Sequence, residues 1–165
     1  MQNIIKKGYI LFFGTLYAAS IVLYSISIID TNALIGTVIS IATLYFGALK
    51  LRIENDILFK ELFLSFNKRY DSDMNDLFNR LKQDQSRPLE PSERNVVINY
   101  FNLCAEEYLW KTKGRIPKDV WCAWRAGIIE NLSIAQVKQA FMDETSSEAG
   151  KTSYYGLYKE VIKYL

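Results

Sequence analysis

The first fifty residues contain two long apolar runs separated by a polar triplet. Tyr9 to Ile29 form 21 consecutive uncharged, mainly apolar residues, and Ala33 to Leu49 form 17 more. As a helix, the first run would extend about 30 Å, which matches the hydrocarbon core of a bilayer. Asp30-Thr31-Asn32 is polar and favours a turn. The pattern predicts a transmembrane hairpin in residues 1–50, with spans at about 9–29 and 33–49.

The few charges near these runs predict the orientation of the hairpin. Residues 1–50 contain four charged side chains, Lys6, Lys7, Asp30 and Lys50, and Arg52 follows shortly after. Cytoplasmic flanks of membrane spans collect Lys and Arg. We therefore expect a multi-pass protein with both termini cytoplasmic and Asp30 at the outer turn.

A cleaved signal peptide is the competing interpretation of the first run. Lys6-Lys7 resembles a basic leader, and Ala18-Ala19-Ser20 resembles a small-residue cleavage site. However, the apolar run is longer than the usual core of a signal peptide and continues past that site. The pattern therefore favours a membrane span.

Small residues recur four positions apart in both predicted spans. The pairs are Gly14 with Ala18 and Gly36 with Ser40, and such spacing lets helix backbones approach closely in lipid. We expect these pairs to pack the hairpin on itself. The alternative is that they pack several copies of the chain together.

After Lys50 the apolar positions repeat at intervals of three and four. Ile53, Ile57, Leu58, Leu62 and Phe66 predict a helix that continues from the second span. The next segments are predicted as a helix capped at 71–73 and a loop over 83–91. A helix then runs from Pro91 to a stop at Gly114, and another begins at Pro117. A short helix capped by Ser133, a loop over 145–150 and a last helix over 154–165 complete the prediction. The expected class is all-α, with residues 51–165 as a cytosolic helical ligand-binding domain.

The composition argues against an enzyme. The chain has no histidine, which removes the commonest general base and most zinc sites. Cys104 and Cys122 are too far apart for a C-x-x-C motif, and no phosphate-binding glycine motif is present. Glu106 and Glu107 point about 100° apart on a helix, and Lys111 is the expected partner of Glu107. We predict no catalytic residue, no metal site and no cofactor.

Two strings combine cations with amide or aromatic side chains, which suits phosphate and base contacts. The formal net charge is +2, and no large basic patch for duplex nucleic acid is expected. The candidate ligand-binding residues are Asn67, Lys68, Arg69 and Tyr70 in the first string, and Lys111, Lys113 and Arg115 in the second. The alternatives are a solvated turn for the first string, and for the second a helix end where cations oppose the dipole.

The strings FNKRYD and YFNLCAEEYLWKTKGRIPKDVWCAW resemble segments of uncharacterised bacterial helical domains. A two-span anchor followed by such a domain is similar to the small membrane effectors of type III CRISPR defence that sense a cyclic oligoadenylate. The resemblance implies an antiviral protein of the bacterial inner membrane. It further implies a homo-oligomer, expected as a tetramer, that binds cyclic tetra-adenylate and perturbs the bilayer. It transfers no binding residue, so the seven candidates rest on charge and position.

Two other functions remain open at this point. One is a ligand-independent two-span protein, such as a small toxin, a holin-like lesion former or an immunity protein. The other is a membrane-tethered scaffold whose helical domain docks a protein partner.

Overall fold

The regular elements are all helical, as the sequence predicts. The computed structural model describes residues 2–84 and 86–165, with side chains from residue 8 onward, and these residues contain no β-strand. The helices are α1 (Gln2–Ser25), α2 (Thr31–Arg69), α3 (Asn75–Gln83), α4 (Pro91–Thr112), α5 (Lys118–Leu132), α6 (Ala135–Glu144), α7 (Glu148–Ser153) and α8 (Leu157–Val161). The chain divides into two compact units, one up to Ile57 and one from Leu58 to Leu165.

The turn between α1 and α2 lies earlier than the sequence suggests. Helix α1 ends at Ser25, and Ser27 adopts a left-handed conformation with φ of 58°. The Asp30 carboxylate accepts a hydrogen bond from the Ala33 amide at 2.7 Å. Asp30 therefore caps α2, because a side-chain oxygen at this position satisfies one of the free amides of the first turn.

The first unit exposes a large apolar surface. Helices α1 and α2 are both long and apolar enough to cross a membrane by length and composition, and almost none of the residues in their most apolar windows is buried. Leu11, Leu44 and Phe46 are about two-thirds exposed, at 66%, 64% and 64%. The core helix of a soluble protein can meet the same length and composition criteria, but its apolar residues would be mostly buried.

Gly14 and Gly36 do not bring the two helices of the first unit into close backbone contact. A Cβ atom added at Gly14 or at Gly36 would meet no other atom within 4 Å, so neither glycine lies at a close backbone approach. The rings of Phe13 and Tyr45 instead meet edge to face, with centroids 5.5 Å apart. The expected packing role of the two glycines is therefore wrong for a single chain, because aromatic side chains hold the contact.

Helix α4 provides much of the core of the second unit. Val97, Phe101 and Cys104 are buried on it, and it contacts α5, α6 and α8. The ring of Phe101 meets that of Phe141 on α6 at 5.1 Å, edge to face. The buried residues of α3, α4 and α6 repeat at the helical spacing that one buried face requires.

Helix α2 continues into α3 through a π-helical turn, Tyr70–Met74, and this replaces the predicted cap at residues 71–73. The Ser72 hydroxyl donates to the Arg69 carbonyl at 2.9 Å, so it does not cap α3. Ser133 likewise donates to the Ile129 carbonyl at 2.8 Å, and the N-cap of α6 is Ile134. Both hydroxyls bond back to the preceding turn, which is the common alternative to capping.

The end of the chain forms shorter helices than predicted. Helix α7 begins at Glu148, inside the predicted loop, and α8 ends at Val161 before a 3-10 turn, Ile162–Tyr164. Tyr155 and Gly156 separate α7 from α8 with positive φ angles of 52° and 90°. Two successive left-handed residues cannot continue an α-helix, so the single predicted helix over 154–165 is wrong.

Candidate functional site

The first predicted string directs its side chains to different places. Asn67 and Tyr70 are three residues apart on the helical turn, and both line one cavity. Arg69 lies between them in sequence and faces a separate polar groove. Lys68 is exposed. The structure therefore divides these four residues, because successive helical positions point about 100° apart.

Arg69 forms a bidentate ion pair with Glu106 on α4. Its Nη1 lies 2.5 Å from Oε2 of Glu106, and its Nη2 lies 3.2 Å from Oε1. The two side chains are 40% and 39% exposed, so solvent reaches the pair. A guanidinium in this geometry can exchange a carboxylate for a phosphate, because both present two oxygen acceptors to its fork of N–H donors.

The polar groove beside this ion pair has a volume of about 490 Å³. Its lining is rich in amide and hydroxyl groups: Arg69, Ser72, Met74, Asn99, Asn102, Glu106, Ser153 and Tyr155. Asn99 and Asn102 are exposed and three residues apart on α4, so they share one face of the helix. Side-chain amides can read the edge of a purine, and an exposed phenol ring offers a stacking face.

The second predicted string places its lysines over aromatic rings. The Lys111 ammonium lies 5.0 Å from the ring centroid of Tyr108 and 5.7 Å from that of Trp121. Lys113 lies 5.5 Å from the ring centroid of Trp110. These distances are typical of cation–π contacts. The prediction that Lys111 pairs with Glu107 is therefore wrong, since its ammonium faces aromatic rings.

The turn after α4 is built as the sequence predicts. Gly114 has φ of 71° and ends the helix, and the Arg115 amide donates to the Trp110 carbonyl at 3.0 Å. Neither the polar groove nor the cavity lined by Asn67 and Tyr70 includes Lys111, Lys113 or Arg115. The seven predicted residues therefore do not form a single site in one chain, and their role in binding stays a prediction.

The cavity lined by Asn67 and Tyr70 contains a carboxyl, that of Glu107, whose burial the sequence does not lead us to expect. Glu107 is 8% exposed and lines this space of about 230 Å³, which we call the aromatic cavity. The full lining is Phe66, Asn67, Tyr70, Tyr100, Leu103, Glu107, Ala123, Trp124, Gly127, Ile128 and Asn131. Helical spacing was the missed signal: Glu107 follows Tyr100 and Leu103 on the buried face of α4.

Burial raises the pKa of the Glu107 carboxyl to about 8, because the apolar surroundings disfavour the charged form. Arg69 acts in the opposite direction and Glu106 adds to the rise. Burial also raises the pKa values of the Tyr100 phenol and the Cys104 thiol well above their usual range. At neutral pH these groups are therefore largely uncharged.

No family model matches the chain, and no curated protein or solved structure is similar to it.

Proposed function

We propose that the protein is a membrane-anchored antiviral defence effector whose helical domain binds a cyclic oligoadenylate and so triggers membrane perturbation. The observation that carries the proposal is the polar groove with Arg69 at its edge, in a chain whose other unit exposes two apolar helices. The ligand that the sequence resemblance implies is cyclic tetra-adenylate.

The exposed apolar helices support the membrane anchor. In water, an apolar surface of this extent would drive copies of the protein to associate. The hydrocarbon core of a bilayer can cover the same surface directly. Lys50 and Arg52 follow the second apolar run, and Lys6 and Lys7, whose side chains lie outside the described residues, precede the first. This pattern supports a membrane hairpin with both chain ends on the cytoplasmic side, and the sequence resemblance implies that the membrane is the bacterial inner membrane.

The groove chemistry supports nucleotide binding. Asn99 and Asn102 provide donors and acceptors that match the N6 and N7 edge of adenine. Arg69 provides a guanidinium that can leave Glu106 for a ligand phosphate. A cyclic tetranucleotide repeats its base and phosphate four times, so a tetramer would present one groove to each repeat.

A binding measurement on the purified full chain in detergent tests the proposal. Cyclic tetra-adenylate should bind, with affinity that falls as salt rises, and Asn102→Ala should weaken binding roughly tenfold by leaving a base edge unpaired. Asn95→Ala is the matched control, because Asn95 is an exposed amide on α4 outside the groove. Absence of binding at high ligand concentration, or equal loss in both variants, would contradict the proposal.

A ligand-independent membrane toxin is the second candidate, and one observation favours it. Arg69 is held by Glu106, and Lys111 and Lys113 lie over aromatic rings, so these cations already have partners within the fold. This candidate predicts dye leakage from vesicles without any nucleotide, unchanged by Lys111→Glu and Arg115→Glu. Leakage that requires cyclic tetra-adenylate would exclude it.

A further inference from the structure

The Glu107 carboxyl lacks a counterion. None of the ion pairs of the described residues includes Glu107, and the nearby guanidinium of Arg69 binds Glu106 through both terminal nitrogens. An ionised carboxylate is costly to bury without a counterion, so this carboxyl stays protonated unless a cation reaches it. Since Glu107 lines the aromatic cavity, the missing partner has room there.

Four aromatic side chains contribute to the walls of this cavity: Phe66, Tyr70, Tyr100 and Trp124. The rings of Phe66 and Trp124 meet at 81° with centroids 5.8 Å apart, and those of Tyr70 and Tyr100 meet at 54° and 6.0 Å. Rings at these angles form the sides of a cage, and Trp124 and Tyr70 also stack against Phe63 and Phe78. Aromatic faces attract cations through their quadrupole.

Asn131 fixes one side of the cage. It is 4% exposed, and its side-chain nitrogen donates to the hydroxyl oxygens of Tyr70 and Tyr100 at 3.2 Å each. The two phenol rings belong to different segments, the π-helical turn and α4, so one amide holds both. A preformed wall of this kind lowers the cost of ordering a binding site.

We propose that the aromatic cavity binds a small organic cation of the ammonium class, with Glu107 as its anionic partner and the surrounding rings as its apolar contacts. The mainly apolar lining selects an alkylated ammonium over a hydrated metal ion, which would require several oxygen ligands. The ligand is distinct from the nucleotide proposed for the polar groove, and neither proposal requires the other.

Binding should be coupled to ionisation of Glu107. The raised pKa means that Glu107 is mainly protonated at neutral pH in the absence of a ligand, and a bound cation would favour the ionised form. The charged groups that act on Glu107 are Arg69 and Glu106. The other titratable groups near it are the phenols of Tyr70 and Tyr100 and the thiol of Cys104. A permanently charged ligand should therefore bind more tightly at pH 9 than at pH 6.

Calorimetric titration of the full chain with choline tests this inference, in a maltoside detergent that has no cationic headgroup. Choline should bind, and 3,3-dimethyl-1-butanol, which has the same shape without the charge, should bind roughly tenfold more weakly or worse. Glu107→Gln preserves the size of the side chain and should abolish this preference. Glu130→Gln is the matched control, since Glu130 is an exposed carboxylate on α5 outside the cavity.

Trp124→Leu provides a second test that leaves the carboxyl in place. Removal of this ring should weaken choline binding, because the cation loses one aromatic face. Equal affinity for choline and its neutral analogue, full choline binding by Glu107→Gln, or no binding of choline to the wild-type chain would each overturn the proposal.

Discussion

Both terminal nitrogens of the Arg69 guanidinium bind the carboxylate of Glu106, at 2.5 and 3.2 Å. The pair joins the end of α2 to the middle of α4, across 37 residues of sequence. Because Arg69 forms its ion pair with Glu106, the adjacent Glu107 in the aromatic cavity has no ion-pair partner.

Arg69→Ala should have a small effect on stability and a larger effect on Glu107. The ion pair is about 40% exposed, so its loss should cost at most about 1 kcal/mol. Arg69 lowers the pKa of Glu107, so its removal should raise that pKa further. Carboxyl titration by NMR measures this shift, and Arg80→Ala, which removes a cation outside the cavity, is the control. An unchanged Glu107 pKa in Arg69→Ala would contradict the coupling.

Stability should fall as pH rises through the range in which Glu107 ionises. Its pKa is near 8 when folded and near 4.5 when unfolded, so the folded state binds more protons between these values. The free energy of unfolding should therefore decrease from pH 4.5 to pH 8, by a few kcal/mol from this residue.

Urea unfolding of wild type and Glu107→Gln at several pH values measures that contribution. The variant should lack the decrease and should exceed the wild type in stability at pH 8, while the difference should be smallest near pH 4.5. Parallel stability curves would show that Glu107 is not buried as described.

Glu93 should produce the opposite dependence at acid pH. Arg87 binds both of its carboxylate oxygens at 2.7 Å, and this contact lowers the pKa of Glu93 to about 2. The folded state then binds fewer protons than the unfolded state, so this stabilisation is present above pH 4.5 and is lost as pH falls toward 2.

Glu93→Gln should destabilise the protein at pH 7 by about 1–3 kcal/mol and reduce its sensitivity to acid. Glu61→Gln, which changes an exposed carboxylate on α2, should do neither. Thermal unfolding at pH 7 and pH 3 provides the comparison. Similar behaviour of the two variants would count against the proposed role of the Arg87 contact.

Gly150 should not tolerate a side chain. A Cβ atom at this position would collide with the backbone carbonyl of Glu144, which cannot move as a flexible side chain would. Gly150→Ala should cost about 1–3 kcal/mol through strain. Gly127→Ala is the matched control, since a Cβ there meets no atom within 4 Å. Chemical denaturation should give a lower free energy of unfolding for Gly150→Ala than for Gly127→Ala.

The helical class and the buried faces could be predicted from the sequence because they depend on local spacing. Leu77, Phe78 and Leu81 are buried on α3 as their periodicity predicts. Gly114 ends α4 because a left-handed residue stops a helix, and a glycine adopts that conformation at little cost.

The candidate site was less predictable because it depends on contacts between distant segments. Nothing near Arg69 in sequence indicates that Glu106 would bind it. The i+4 spacing predicts that Lys111 pairs with Glu107, but in the folded chain the Lys111 ammonium lies over the ring of Tyr108. The burial of Glu107 was accessible to sequence analysis, since it continues the apolar face of α4. A charged side chain at such a position is nevertheless exposed in most proteins, so its type and its position in the pattern gave opposite indications.

Membrane insertion of the first unit is the central claim, and alkaline carbonate extraction of cell membranes that contain the full chain tests it most directly. Two apolar helices embedded in lipid should keep the protein in the membrane pellet at high pH, with release by detergent alone. Recovery of the protein in the carbonate supernatant would contradict the anchor and the effector function that depends on it.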